Sequence, residues 1–508
     1  MRTTTVLFLL CTLTTATAQN DSLRQTGIFD RMLRNSEWKH NAPETVYANP
    51  AMMSGRYACT LNELQAGWYS RREQQAIVAQ EGNGESVGFA SANAYIRKGK
   101  NDIWGKAAYT NGVRRNVGYN ETSDYRLLYP YVTADLIGGN TKEESYSFGG
   151  GFAHRTGEFT LAASAGYRAL LAYRNVDPRP KNLAGDLTLS VGTTWTRGRI
   201  LLGLAGETGK YKQTNEVKFY DQTGTPPVYH ATGLGTDYYR FRGTNTSGYY
   251  NGYRAGGTAN FRYTARKGDV VNLAARYRLF AFEKIISSLN ELPMASAKEH
   301  SVSMAAEYAR NFQTGQWGAV RLEGDFRKRN GTENIFGNAQ NNIYPQIGSL
   351  PMYTNTELDI CQSFLYEDTR NPLRWRLLLS PLGFSHRKES YTEPRQSMTN
   401  SRYRCSAEAG VSWKKGKWLW RGKGEIQFFQ PVKSELNITA SETILLAEPV
   451  RNLYAALQHR STNTGLQAGA DYRLTEKTAL SVNGYWQHGF YASGQHSDRL
   501  SLSVGFSF

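Results

Sequence analysis

Cysteine is scarce in this chain of 508 residues, with only Cys11, Cys59, Cys361 and Cys405. So sparse a set excludes a disulfide framework. After the first twenty residues no apolar run approaches the roughly 18 residues that a membrane-spanning helix needs. Catalytic signatures are missing too: there is no GxSxG elbow, HExxH, CxxC or phosphate-cradling glycine loop. The eight histidines are scattered, without metal-ligand spacing. These absences predict no catalytic residue, no cofactor, no metal and no enzymatic activity.

What is present begins with MRTTTVLFLLCTLTTATAQ. Arg2, the apolar stretch Val6 to Leu13 and the small-x-small step Ala16-Thr17-Ala18 read as a secretory leader over residues 1–18. Cys11 follows Leu10, where a lipid-anchored cysteine wants a small residue, so it reads as part of the leader. An export leader followed by no apolar helix leaves a soluble exported protein or an outer-membrane β-barrel. Lys and Arg number 60 against 43 Asp and Glu, a net charge of +17. After export that excess suits outer-membrane lipid and lipopolysaccharide phosphates, and a basic lumen. Nucleic acid is not expected, because no binding motif accompanies the charge.

A hairpin rhythm decides between the two options. Segments of alternating polarity are joined by short turns at 97–102, 154–158, 196–199, 266–269, 312–316, 368–373, 413–418 and 474–478. Between them lie longer connections at 113–146, 211–251, 284–299, 329–355 and 432–461. In 417–428, Arg421, Lys423, Glu425 and Gln427 alternate with Trp420, Gly422, Gly424, Ile426 and Phe428. Trp195, Trp413 and Trp418 stand beside the short turns, where an interfacial aromatic girdle belongs. Gly and Ala on the apolar face are tolerated by lipid but not by a packed core. The pattern predicts an all-β, transmembrane antiparallel β-barrel over residues 60–508, with short periplasmic turns and long extracellular loops. Eighteen strands fit best. Sixteen is the alternative, because alternation is mixed over 86–97, 101–112 and 356–368; separately, 125–146 could add a hairpin within a loop.

DRLSLSVGFSF reads as the strand that closes the barrel, with Leu500, Leu502, Val504, Phe506 and Phe508 toward lipid and the serines inward. Phe506 and Phe508 are the expected signal for the barrel-assembly machinery. Ile28, Phe29, Met32 and Leu33 have helical spacing, so residues 19–59 form either a periplasmic tail or a luminal plug. The Asn49-Pro50-Ala51 step resembles the turn in the N-terminal hatch of fatty-acid-transporter-like barrels. Alternation places Arg276, Arg278, Arg321, Glu323, Asp325, Arg421, Lys423 and Glu425 toward the lumen. Such charges either select anions in an open pore or pair within a closed one. In the loop YRNVDPRPKN, Asp177 and Arg179 are either a partner contact or a pair that pins a rigid loop end.

The leader, the NPAMM step, the YRNVDPRPKN loop and the terminal SVGFSF together resemble a Bacteroidota-type outer-membrane β-barrel family known only as a domain of unknown function. That resemblance spans the chain after the leader. It implies an accessory role beside a TonB-dependent transporter and supplies no catalytic residues. The expected function is therefore a channel, or an accessory component, for uptake of a small nutrient at the Gram-negative outer membrane. The alternative is a non-conducting surface barrel whose loops bind a partner.

Overall fold

The computed structural model describes residues 26–38, 41–221, 227–243, 246–266, 268–341, 343–438 and 446–508. The expected leader, Cys11 included, lies outside them. Eighteen strands pair in chain order into one antiparallel sheet. They are β1 (Leu61–Glu73), β2 (Gly84–Lys98), β3 (Asn101–Val117), β4 (Gly139–Thr156), β5 (Phe159–Tyr173) and β6 (Arg179–Arg197). Next come β7 (Ile200–Lys218), β8 (Thr246–Thr264), β9 (Val270–Ile286), β10 (Leu292–Gln313), β11 (Gln316–Phe336) and β12 (Gln346–Asp368). The sheet ends with β13 (Leu373–Tyr391), β14 (Gln396–Lys415), β15 (Trp418–Asn437), β16 (Ser461–Thr475), β17 (Thr478–Tyr491) and β18 (His496–Ser507). β18 pairs with β1 from Glu63↔Ser507 to Glu73↔Ser497, so the sheet closes and has no free edge.

The sixteen-strand alternative is thereby corrected. Alternation is mixed in β2 because Val87, Phe89 and Tyr95 share the luminal face with Asn93, while between Ser86 and Ile96 the outer face holds only Gly88, Ala90, Ala92 and Ala94. In β12 the alternation is unbroken but mixed in character, with Thr356 and Gln362 outward among Leu358, Ile360 and Phe364; the bulge opposite Gln362 and Phe364 lies in β13, where Leu379 and Leu382 both face out. Residues 125–146 add no hairpin. Tyr125–Leu128 is a helical turn, Thr133–Ala134 pairs with the loop strand Tyr229–Gly233, and β4 starts at Gly139.

All eight short turns lie where the sequence places them. Several long connections are shorter than expected, because the strands run on. β12 has 23 residues, about twice what a tilted strand needs to cross a bilayer. Beyond the lipid the outer face of a strand is wet, so no lipid-facing apolar row marks those extensions, while inward residues such as Phe282 and Met294 pack on the cap. The outer face carries an apolar belt that includes Leu202, Leu204, Val191, Met304, Leu322, Leu382, Leu466, Leu502 and Val504, each at least 46 % exposed. Trp375, Trp413, Trp418 and Phe159 edge the belt beside the short turns.

The lumen is occupied at both ends. At the short-turn end lies a hatch, residues 26–38 and 41–59, built from α1 (Ile28–Ser36), α2 (Glu44–Tyr47) and a 3-10 turn over Pro50–Met53. The apolar face of α1 buries Ile28, Phe29, Met32 and Leu33 against Leu61, Leu419 and Ala479. Across the lumen Trp38 packs on Ala309, Trp317, Ala319 and Leu365, and Val46 and Met52 on Ala274. At the long-loop end residues 118–138 and 227–243 fold inward as a cap. Leu128, Tyr131, Val132 and Phe241 pack there on the inward-facing Tyr211, Tyr250, Phe280 and Phe282.

Candidate functional site in the plugged lumen

Asn49 latches the hatch to the wall. It caps the 3-10 turn, its Oδ1 accepting from the amide of Ala51 at 2.9 Å, and Pro50 follows with φ already set for the turn. Its Nδ2 donates to Oδ1 of Asn260 at 3.0 Å and to the Thr193 carbonyl at 3.3 Å. Asn260 answers by donating to the Val46 carbonyl at 3.1 Å. Glycine makes the socket possible. A Cβ at Gly192 would lie 2.1 Å from Asn49 Oδ1, and one at Gly203 2.9 Å from its Nδ2. Asn49 is completely enclosed.

Further polar contacts ring the hatch. Glu37 pairs with Arg374 at 3.2 Å and Asp30 with Lys414 at 2.9 Å. The amide of Trp38 donates to Glu367 at 2.9 Å, and its ring lies 5.3 Å from the Arg376 guanidinium. Arg321 donates to the Asn41 carbonyl at 2.6 Å, and Ser54 to Asp102 at 2.7 Å. Inside the hatch Tyr47 is pushed up by burial, so its phenol stays protonated, and burial likewise raises the Cys59 thiol. Cys59, Cys361 and Cys405 are all free.

The luminal residues expected from the sequence all face inward, and most are paired. Arg276 meets Glu207, Arg321 meets Glu307 at 2.7 Å, and Arg421 meets Asp471 at 2.7 Å. Lys423 bridges Glu408 at 3.3 Å and Glu425 at 3.0 Å, and Glu425 also accepts from Tyr485 at 2.7 Å. Asp325 accepts from Ser303. Arg278, Glu323 and Arg404 have no ion-pair partner among the described residues. Arg404, Asp325 and Arg327 are solvent-exposed although they face inward, so they border open luminal space. Three adjoining cavities lie along the hatch, of about 630, 270 and 120 Å³. Met32, Glu63 and Asn93 line both larger ones. Lys106 and Arg56 bring positive charge to the largest, and Trp104 and Tyr95 bring aromatic faces. Gly149, from the middle of β4, lines its wall, and on the same face of β4 a Cβ at Gly151 would meet the Trp104 ring at 2.2 Å.

The sequence reading missed several groups that shape this space. Asp186, Glu207, Glu299, Glu357 and Asp359 are acidic partners of luminal arginines. Their partners stand on other strands, so no local pattern announces them. The hatch socket was half visible in the NPA step, but Gly192, Gly203 and Asn260 carry no signal of their own.

In the cap, Glu121, Asp135 and Arg174 are fully enclosed, with Arg174 at 2.8 Å from Glu121 and 3.7 Å from Asp135. Burial raises Glu121 well above the ordinary carboxylate range, and the neighbouring Asp135 adds to that; burial also raises Asp135. His230, buried in the same cap near Lys284, is held neutral far below its usual value. Asp177 accepts from Arg179 at 2.6 Å and from the amides of Tyr220 and Asp221 at 2.7 and 2.8 Å. The pair therefore ties the loop after β5 to the chain leaving β7. Backbone and guanidinium hydrogen bonds hold Asp177 below its usual pKa. Phe506 and Phe508 lie 5.7 Å apart, on the outer face of the closing strand. A further pocket of about 460 Å³ opens beneath the cap, among Tyr125, Tyr129, Arg327, Arg387 and Glu389.

Among solved structures the chain is similar to the ferric enterobactin receptor PfeA of Pseudomonas aeruginosa, at 10% identity over 88% of this chain and 81% of that one, with a TM-score of 0.39. It is similar also to the siderophore receptor PiuA of Acinetobacter baumannii, at 8% identity over 89% and 82%, TM-score 0.39. BauA, the ferric preacinetobactin receptor of the same species, gives 9% over 89% and 80%, TM-score 0.38. Likenesses this distant carry no argument, and the barrel stands on its own strand pairing. No curated protein matches the chain. Residues 50–508 match the model described as "Family of unknown function (DUF6850)", and the chain belongs to that family.

Proposed function

We propose that this protein is an outer-membrane uptake barrel of a Gram-negative bacterium, through which a small nutrient passes when the hatch leaves its seat. The observation that carries the reading is the way the hatch is held. It is anchored by separable polar contacts, Asn49 to Asn260 above all, at the floor of a charged lumen that holds open space. A segment meant only to fill a barrel gains most from continuous apolar packing. This one instead meets the wall through small apolar contacts divided by ion pairs and amide bonds, each replaceable by water. The short turns then face the periplasm and the long loops the exterior. Unpaired Arg278 and Arg404 lean the lumen toward anionic solutes. A companion TonB-dependent transporter is part of the same proposal.

A second reading has one observation in its favour. The cap fills part of the long-loop end with a buried aromatic cluster, and a cap that sealed that end would make a non-conducting barrel that presents its loops to a partner. Swelling of proteoliposomes in small sugars and small carboxylates separates the two. Wild type is expected to admit solute slowly and Asn49→Ala faster. Equal impermeability of both, with the barrel intact by heat-dependent gel mobility, favours the second reading.

A further inference from the structure

One sector of the outer wall carries a feature that uptake does not require. Along β10 the outward row runs from Phe312, beside the short turn, past Arg310, which pairs with Asp269, and then through Tyr308, Ala306 and Met304 up to Val302. Ten residues of tilted strand rise about 25 Å, the height of a hydrocarbon layer. The next outward position on each of four neighbouring strands forms one transverse row. His300 stands opposite Lys328, Lys328 opposite Thr356, and Thr356 opposite Lys388. The row above repeats the character, with Lys298, Asn330, Thr354 and Ser390 in register. Neither row contains a carboxylate. The acids of this sector, Glu299, Glu357 and Glu389, point into the lumen, where they pair with Arg329, Arg327 and Arg387. Lys298, Lys328 and Lys388 are exposed and have no ion-pair partner among the described residues. Lys433 on β15 differs, because Glu435 neutralises it at 3.1 Å.

We infer that this face of β10–β13 binds the phosphorylated sugar headgroup of an outer-leaflet glycolipid. The height fits, since the rows sit at the first polar layer above the belt. The charge fits, since three unneutralised ammonium groups face the place where lipid phosphates lie. Lys328 and Lys388 flank β12, roughly 10 Å apart at the backbone, and their flexible stems let both reach one phosphate. The threonines, Asn330 and Ser390 between them supply hydroxyl and amide partners that suit sugar hydroxyls better than the bare diester of a phospholipid. Below them Phe326 and Leu358 provide the bed for the acyl chains.

The inference rests on the membrane reading above, whose own failure shows separately as absence of insertion into nanodiscs. The test uses the purified full-length protein in nanodiscs containing a diphosphorylated glycolipid, its dephosphorylated form or phosphatidylglycerol, with retained lipid counted by native mass spectrometry. Wild type is expected to retain the phosphorylated glycolipid in preference to the other two. Lys298→Gln/Lys328→Gln/Lys388→Gln should lower that retention at least tenfold, while Lys433→Gln leaves it within twofold. Unchanged retention in the triple variant overturns the inference, and so does equal retention of phosphatidylglycerol. Both variants keep their barrel if gel mobility still shifts on boiling, so loss of fold is read independently.

Discussion

Asn49 and Asn260 exchange the hatch and the wall between them: Asn49 donates to Asn260 Oδ1 at 3.0 Å, and Asn260 donates back to the hatch at the Val46 carbonyl, 3.1 Å. Both amides are buried, so replacing one leaves the other without its partner. Asn49→Ala is expected to weaken hatch docking by about 1–3 kcal/mol. Hydrogen exchange over residues 44–56 should rise while exchange in β6–β8 stays unchanged. Unaltered protection of the hatch would contradict the latch.

Gly192→Val tests the socket from the other side. Its Cβ would fall 2.1 Å from Asn49 Oδ1 and 3.0 Å from Pro50. The hatch should be displaced, making the Arg56 region accessible to trypsin, with heat-dependent gel mobility retained. A hatch as resistant as wild type would show that the fit is not tight.

Trp38 anchors the opposite edge, packed on Ala309, Trp317, Ala319 and Leu365. Trp38→Ala should cost the docked state about 3–5 kcal/mol. Early proteolysis between residues 26 and 60 is the readout, and resistance equal to wild type counts against docking through this residue.

The cap carries a pH dependence of known sign. Glu121 starts from an ordinary value of 4.5 and is raised well above it by burial, with Asp135 adding to the shift. Below that ordinary value the carboxyl is protonated in open and closed cap alike, and the closed form bears no penalty. As pH rises past it, the open cap releases the proton while the closed cap keeps it, so closure weakens until the raised pKa is passed. His230, held neutral, works the other way and weakens closure as pH falls below its usual 6.5. Glu121→Gln removes only the first slope. Its cap should gain protection over wild type between pH 5 and pH 8, measured by hydrogen exchange over residues 119–133. Parallel curves would contradict this.

Arg278 and Arg404 are the luminal cations expected to set ion preference, since Arg276, Arg321 and Arg421 are already neutralised. Arg278→Glu/Arg404→Glu should move the reversal potential of a hatch-free pore toward cation selectivity, with open-pore conductance changed by less than about twofold. A reversal potential identical to that of the unsubstituted pore would place selectivity elsewhere.

How much of this was legible beforehand follows from what imposes a local pattern. Lipid demands an apolar outer face, so strands such as β15 and the closing Leu500–Phe508 run declare themselves at period two. Short turns declare themselves through Gly and Lys. The luminal face obeys no such rule. Arg254 finds Asp186 at 2.8 Å, and Arg276 finds Glu207, each across an intervening strand and far along the chain. A list of inward arginines alone therefore exaggerated the free charge. The cap was hidden for the same reason: YRLLYPYVTA is apolar because Tyr250, Phe280 and Phe282 await it, and that surface is assembled only by the closed barrel. The α1 helix was visible in the spacing of Ile28, Phe29, Met32 and Leu33, whereas its seat on Leu419 and Ala479 was not.

The central claim is that residues 26–59 shut a lumen that can otherwise conduct. Planar-bilayer recording of the full protein beside a variant lacking residues 26–59, both checked for heat-dependent mobility, tests it most directly. The account predicts rare, brief openings for the full protein, and for the variant frequent discrete openings that prefer anions. Silence from a correctly folded, hatch-free barrel would contradict it.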